Sequence, residues 1–118
     1  MEVNRNFPDS EIVHNIRSGQ KMDETIRALY RKEFHHLSWY VVNNSGSRQD
    51  AEDIFQEVML AFIDCVQQDK FRGDSTISTF LFSLNRFTWL NELKKRCRTV
   101  LREEKFEREQ DKIAPDTG

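Results

Sequence analysis

Asp50-Ala-Glu-Asp-Ile-Phe-Gln-Glu-Val-Met-Leu-Ala-Phe62 is the stretch on which the reading of this chain turns. Ile54, Val58, Ala61 or Phe62, and then Cys65 recur at helical steps, while Asp53 and Glu57 lie one turn apart on another face. The segment therefore reads as an amphipathic helix beginning near Arg48. Ser47 with Asp50 three residues later approximates an N-terminal capping arrangement, although Asp reaches back less well than the more usual Glu. Carboxylates near this start suit the positive helix end, so part of the acidity has a local cause.

Before it, Asn43-Asn44-Ser45-Gly46 is a stop signal. Met22, Ile26, Leu29, Leu37 and Tyr40 or Val41 then predict a longer helix from about Met22 to Val42. Pro8-Asp9-Ser10 opens a short helix through Ile12, Val13 and Ile16, and Gly19 after Ser18 supplies its C-cap. After it, Gln67 to Ser75 reads as a loop around Gly73-Asp74. A fourth helix starts near Ile77 or Ser78 and extends past Val100, with Phe80, Leu84, Phe87, Leu90, Leu93, Cys97 and Leu101 as its expected buried line. The only prolines, Pro8 and Pro115, lie near the ends, so no interior helix meets the commonest breaker. The expected fold is all-α, a compact bundle of about four helices.

Charge is distributed unevenly along this framework. Gln49 to Asp69 carries six carboxylates and no Lys or Arg, whereas Leu84 to Arg102 carries six Lys or Arg against the single Glu92, within a net charge of -2. One acidic and one basic element suggest two different partners. With 118 residues, 37% of them hydrophobic and 32% charged, one domain is the default. Cys65 and Cys97 lack ligand spacing and the density of a disulfide scaffold, and read as free, buried thiols of a cytoplasmic protein. No apolar run approaches the ~18 residues of a membrane span, and Met1 to Pro8 does not resemble a signal peptide.

On the fourth helix, Phe82, Arg86 and Trp89 fall at steps of four and three on a face of their own. Aromatics interleaved with Arg stack on exposed bases while the cation meets phosphate, a pattern suited to single-stranded or melted DNA. The competing reading packs Phe82 and Trp89 against an earlier helix and leaves Arg86 over the seam. Lys94, Lys95, Arg96, Arg98 and Arg102 form a basic run, either a phosphate-contacting or a solvated face. Asn85, Asn91 and Gln68 are possible donors to base edges, though spacing does not single them out. Glu52, Asp53, Gln56 and Glu57 make an acidic edge that either docks a basic protein surface or is simply solvated. Catalysis has little support: His35 and His36 are adjacent and diverge, His14 lies on the first helix, and no phosphate loop or nucleophile elbow occurs. Asp53 and Glu57 lack the further ligands that a divalent ion requires. No cofactor is expected.

The Asp50-to-Phe62 run, followed by Phe71-Arg-Gly-Asp-Ser75 and then Thr79-Phe-Leu-Phe-Ser-Leu-Asn-Arg86, resembles region 2 of bacterial RNA polymerase sigma factors, in particular the extracytoplasmic-function group. The resemblance extends in order and spacing over about residues 8 to 102. It implies a non-enzymatic transcription-initiation domain whose acidic helix binds the clamp helices of the polymerase's largest catalytic subunit, which gives Asp53, Gln56 and Glu57 that role. It also implies that Phe71, Arg72, Gly73, Asp74, Ser75 and Thr76, with Thr79 and Phe80 nearby, accept the melted promoter −10 element, including a flipped base. Family members commonly carry Trp where this chain has Phe80, and Arg-Asn where it has Arg86-Phe87, so the fine base contacts do not carry over.

A complete sigma factor of this group adds a C-terminal helix-turn-helix, which nothing after Arg102 can build. The expected organisation is a region 2-like domain over 1–102, with 103–118 as a helix extension or the start of an interdomain linker. An anti-sigma factor is a further possible partner. The alternative is a helical protein-interaction module that binds a polymerase subunit or regulator without opening DNA.

Overall fold

The computed structural model describes residues 7–113, and among them it contains four helices and no strand. They are α1 (Asp9–Ser18), α2 (Met22–Val42), α3 (Arg48–Gln67) and α4 (Ile77–Ile113). The described chain falls into two units that divide after Thr88, within α4. Residues up to Thr88 form the first unit, and the later turns of α4 belong to the second.

Each boundary has a local cause. Gly19 ends α1 in the left-handed conformation at φ 73, and its N–H with that of Gln20 returns to the Ile16 and Asn15 carbonyls. Ser47 Oγ accepts from Asp50 N–H at 3.0 Å while Asp50 Oδ2 accepts from Ser47 N–H at 2.9 Å, so the capping box closes even with the shorter Asp. The end of α3 is less usual. Asp69 takes the left-handed position at φ 58, with Asp69 N–H on the Val66 carbonyl and Lys70 N–H on that of Cys65. The same pair of bonds closes helices that end in glycine.

The core of the first unit is drawn from all four helices: Ile12 and Ile16, Leu29, Leu37 and Val41, Ile54, Val58, Phe62 and Val66, then Ile77 and Leu81. Polar ties cross it. Asn15 Nδ2 donates to Thr25 Oγ1 at 3.1 Å, joining α1 to α2. Ser78 Oγ donates to the buried Glu33 carboxylate, and Asn85 Nδ2 donates to the Leu37 carbonyl at 3.1 Å, joining α4 to α2. A buried polar group is costly without such a partner, so these bonds fix which face of α4 turns inward.

That face differs from the expected one. Ile77, Leu81, Asn85 and Trp89 are buried at steps of four, whereas Phe80 and Leu84 are half-buried and Phe87 is 66% exposed. Two neighbouring stripes of α4 both satisfy helical spacing, and the polar Asn85 disguises the one that is buried. Cys97 and Leu101 are exposed, and Cys65 is half-buried, so neither thiol is the sealed core group that composition suggests. The helix runs on through the charged segment after Arg102 as far as Ile113, and Pro115 lies outside the described residues. No helix among the described residues is long and apolar enough to cross a membrane.

Candidate functional site

Two surfaces of the first unit concentrate the chemistry. On α3 the buried positions are Ala51, Ile54, Phe55, Val58, Met59, Phe62 and Val66, which leaves the opposite face to Asp53, Gln56, Glu57 and Leu60. Glu52 sits half-buried at the margin, its Oε1 3.9 Å from Arg48 Nε, and Asp53 Oδ1 accepts from Gln49 Nε2 at 3.0 Å. These pairs occupy one turn and leave Gln56 and Glu57 facing solvent. Beside this edge lies an apolar groove of about 560 Å³ between α2 and α3, floored by Tyr30, Phe34, Phe55 and Met59 and bordered by Leu60, Glu52 and Gln56. Tyr30 and Phe34 stack with centroids 4.6 Å apart, and each meets Phe55 edge-on. Leu60 is 69% exposed. Sequence reasoning missed this groove. Its signal was the aromatic pair at i and i+4 and a leucine standing among carboxylates.

The second surface is the connection between α3 and α4. Phe71 is half-buried and packs edge-on against Phe62 at 5.7 Å and Phe80 at 5.1 Å, which anchors the loop on the core. Arg72, Gly73, Asp74, Ser75 and Thr76 then run exposed, with Gly73 at φ 74 providing the reversal. The loop and Phe80 enclose a small pocket of about 120 Å³, and a larger cleft of about 760 Å³ lies between the loop and α1. Thr76 Oγ1 accepts from Thr79 N–H at 3.1 Å and caps α4, placing Thr79 beside the loop with its side chain exposed.

The remaining sequence candidates separate. Phe82 is half-buried, with its ring 5.4 Å from Tyr40 and 5.3 Å from His36, and Arg86 is exposed. Trp89 is 0% exposed, which corrects its reading as a base-stacking residue: a ring with no accessible face cannot receive a base. Asn85 is equally enclosed and is committed to Leu37, so it does not read base edges. In the second unit Lys94, Lys95, Arg96 and Arg98 are exposed on α4. Arg96 Nε lies 2.9 Å from Glu92 Oε2, and its guanidinium carbon is 5.2 Å from the Trp89 ring centroid. No group of three His, Cys, Asp or Glu suited to a metal occurs among the described residues.

Residues 26–99 match the family Sigma-70 region 2, and the chain belongs to it. No curated protein and no solved structure matches the chain. Sigma factors are not catalysts.

Proposed function

We propose that this chain binds core RNA polymerase and recognises and melts the promoter −10 element. The observation that carries the reading is the exposed Arg72-to-Thr76 loop closing a pocket over Phe71 and Phe80, in a chain of the sigma-70 region 2 family. Glu52, Asp53, Gln56 and Glu57, with the adjoining groove, receive the clamp helices of the largest catalytic subunit. Basic residues on those helices meet the carboxylates, while apolar ones cover Leu60. Phe71, Arg72, Gly73, Asp74, Ser75, Thr76, Thr79 and Phe80 take the unstacked non-template bases. The exposed part of Phe82 and the Arg86 guanidinium continue that surface. Lys94, Lys95, Arg96 and Arg98 supply sequence-independent attraction to phosphate.

Magnitudes explain why both surfaces are needed. Extracting a base costs a few kcal/mol, and stacking it on an aromatic returns about 1–3 kcal/mol. One captured base therefore roughly balances its own extraction. Polymerase must contribute by holding the domain against the strand, and capture then withdraws bases from the closed-duplex equilibrium.

The test compares single-stranded −10-like DNA with a scrambled strand in the presence of core polymerase. A preference for the −10-like strand that is lost on Phe71→Ala or Arg86→Ala supports the reading. Polymerase binding with no strand preference would leave a protein-interaction module that does not open DNA.

A further inference from the structure

The loop proposed to accept the strand is held at both ends by α1, the helix that forms the other wall of the larger cleft. At the downstream end, Ile77 N–H, the first of α4, donates to Asp9 Oδ2 at 2.9 Å, a contact spanning 68 residues of sequence. At the upstream end, Arg17 Nε lies 3.0 Å from Asp69 Oδ1, on the residue whose left-handed backbone ends α3. Asp9 is the first residue of α1 and Arg17 is next to its last, so the two anchor points stand about 12 Å apart along the helix axis. Between them α1 stands clear of the loop, since Val13, His14 and Phe71 to Thr76 border the same open cleft. The loop is thus fixed at its ends and open in its middle.

The two anchors are unequal. Arg17 and Asp69 are both largely exposed, at 49% and 78%, and such pairs contribute little. Asp9 is half-buried and places a carboxylate at the positive end of α4, where the N–H groups have no partner within the helix. Thr76 satisfies Thr79 N–H from within the chain, which leaves Ile77 N–H to Asp9. The direction in which the chain leaves Thr76 therefore depends on where α1 holds this carboxylate.

We infer that Asp9 is a positioning residue for strand recognition: it sets the junction of the loop with α4, and so the pocket over Phe80, without touching DNA. Arg17 with Asp69 is its weaker counterpart at the other end. This rests on the proposed role of the loop.

The experiment uses the full chain with core polymerase, comparing wild type, Asp9→Ala and Asp9→Asn. Asparagine keeps an acceptor oxygen and caps helices as well as aspartate does. The readouts are affinity for core polymerase, the ratio of affinities for −10-like and scrambled single strands, and amide hydrogen exchange at 71–79. Asp9→Ala should lower the strand ratio about fivefold, the equilibrium weight of one helix cap, and accelerate exchange at Ile77. Polymerase affinity should stay within about twofold, because the acidic edge is a separate site. Asp9→Asn should restore both ratio and protection.

An undiminished ratio in Asp9→Ala, or exchange at Ile77 as slow as in wild type, overturns the inference and leaves the proposed function standing. A wild-type chain that binds polymerase but prefers neither strand overturns the parent reading instead. Should Asp9→Ala fail to fold, Arg17→Ala combined with Asp69→Asn loosens the other end from the surface. A ratio reduced about twofold, as loss of an exposed pair predicts, supports the strap, and an unchanged ratio rejects it.

Discussion

Two three-ring clusters share α3 and do opposite things. Tyr30 and Phe34 stack one turn apart on α2 and both meet Phe55 of α3 edge-on, and Tyr30 remains about half exposed. Phe62, Phe71 and Phe80 come from two helices and the loop between them, around a Phe62 that is sealed from solvent. The first cluster leaves apolar surface exposed, the surface proposed above to receive polymerase. The second uses its aromatic surface to hold a loop whose backbone would otherwise be free. On the proposed function, one binding surface is the aromatic face itself and the other is a polar segment that aromatics keep in place.

The largest effect should come from Phe62→Ala. Truncating a buried Phe removes ~3–5 kcal/mol of stability, and here it also takes away the floor under Phe71. Tyr30→Ala, at a half-exposed ring, should cost clearly less in the same denaturant titration. If the two substitutions destabilise equally, the distinction between a loop-holding and a partner-facing cluster fails.

Next in size is charge reversal on the acidic edge, Asp53→Lys with Glu57→Lys. Both side chains are exposed, so unfolding free energy should move by no more than ~0.5 kcal/mol per site. Affinity for core polymerase should fall at least about tenfold, because basic groups on the partner would then meet like charge. Equal losses of stability and affinity would remove the reason for treating this edge as an interface.

The same contrast explains what could be read from sequence. Helix ends set by neighbouring residues were legible: Gly19 closes α1, the Ser47–Asp50 box opens α3, and both lie where spacing placed them. The acidic edge was legible too, because an α-helix fixes its opposite face once its buried positions are known. The inward face of α4 was not. It depends on Asn85 finding the Leu37 carbonyl and Ser78 finding Glu33, contacts with residues 48 and 45 positions away, so the burial of Trp89 had no local signature. The Asp9–Ile77 bond is invisible for the same reason.

Gly73→Ala tests the loop itself. Nothing lies within 4 Å of a Cβ added there, so the substitution meets no steric obstacle and acts only through the backbone at φ 74. Holding a residue other than glycine in the left-handed region costs roughly 1–2 kcal/mol. The expected result is a stability loss of that size or a shifted loop with weakened strand preference, while Gly73→Asn should cost less because Asn tolerates this region better. Unfolding curves and strand-binding titrations of the two variants measure this directly, and equal behaviour of Ala and Asn would mean that the reversal at Gly73 does not govern the pocket.

The smallest effect separates the loop from the basic turns of α4. Lys95 is exposed in the second unit, and its proposed contact is with phosphate rather than with a base. Lys95→Ala should therefore weaken −10-like and scrambled strands by the same factor, leaving their ratio intact. It should also flatten the dependence of log affinity on log salt by about 0.7, the value for one phosphate contact on a single strand. Substitutions at the loop are expected to do the reverse, changing the ratio and leaving the slope nearly alone, because base capture releases few counterions. A Lys95→Ala variant that altered the ratio would place sequence discrimination in the basic turns, and the loop would then be a spacer rather than the reader of bases.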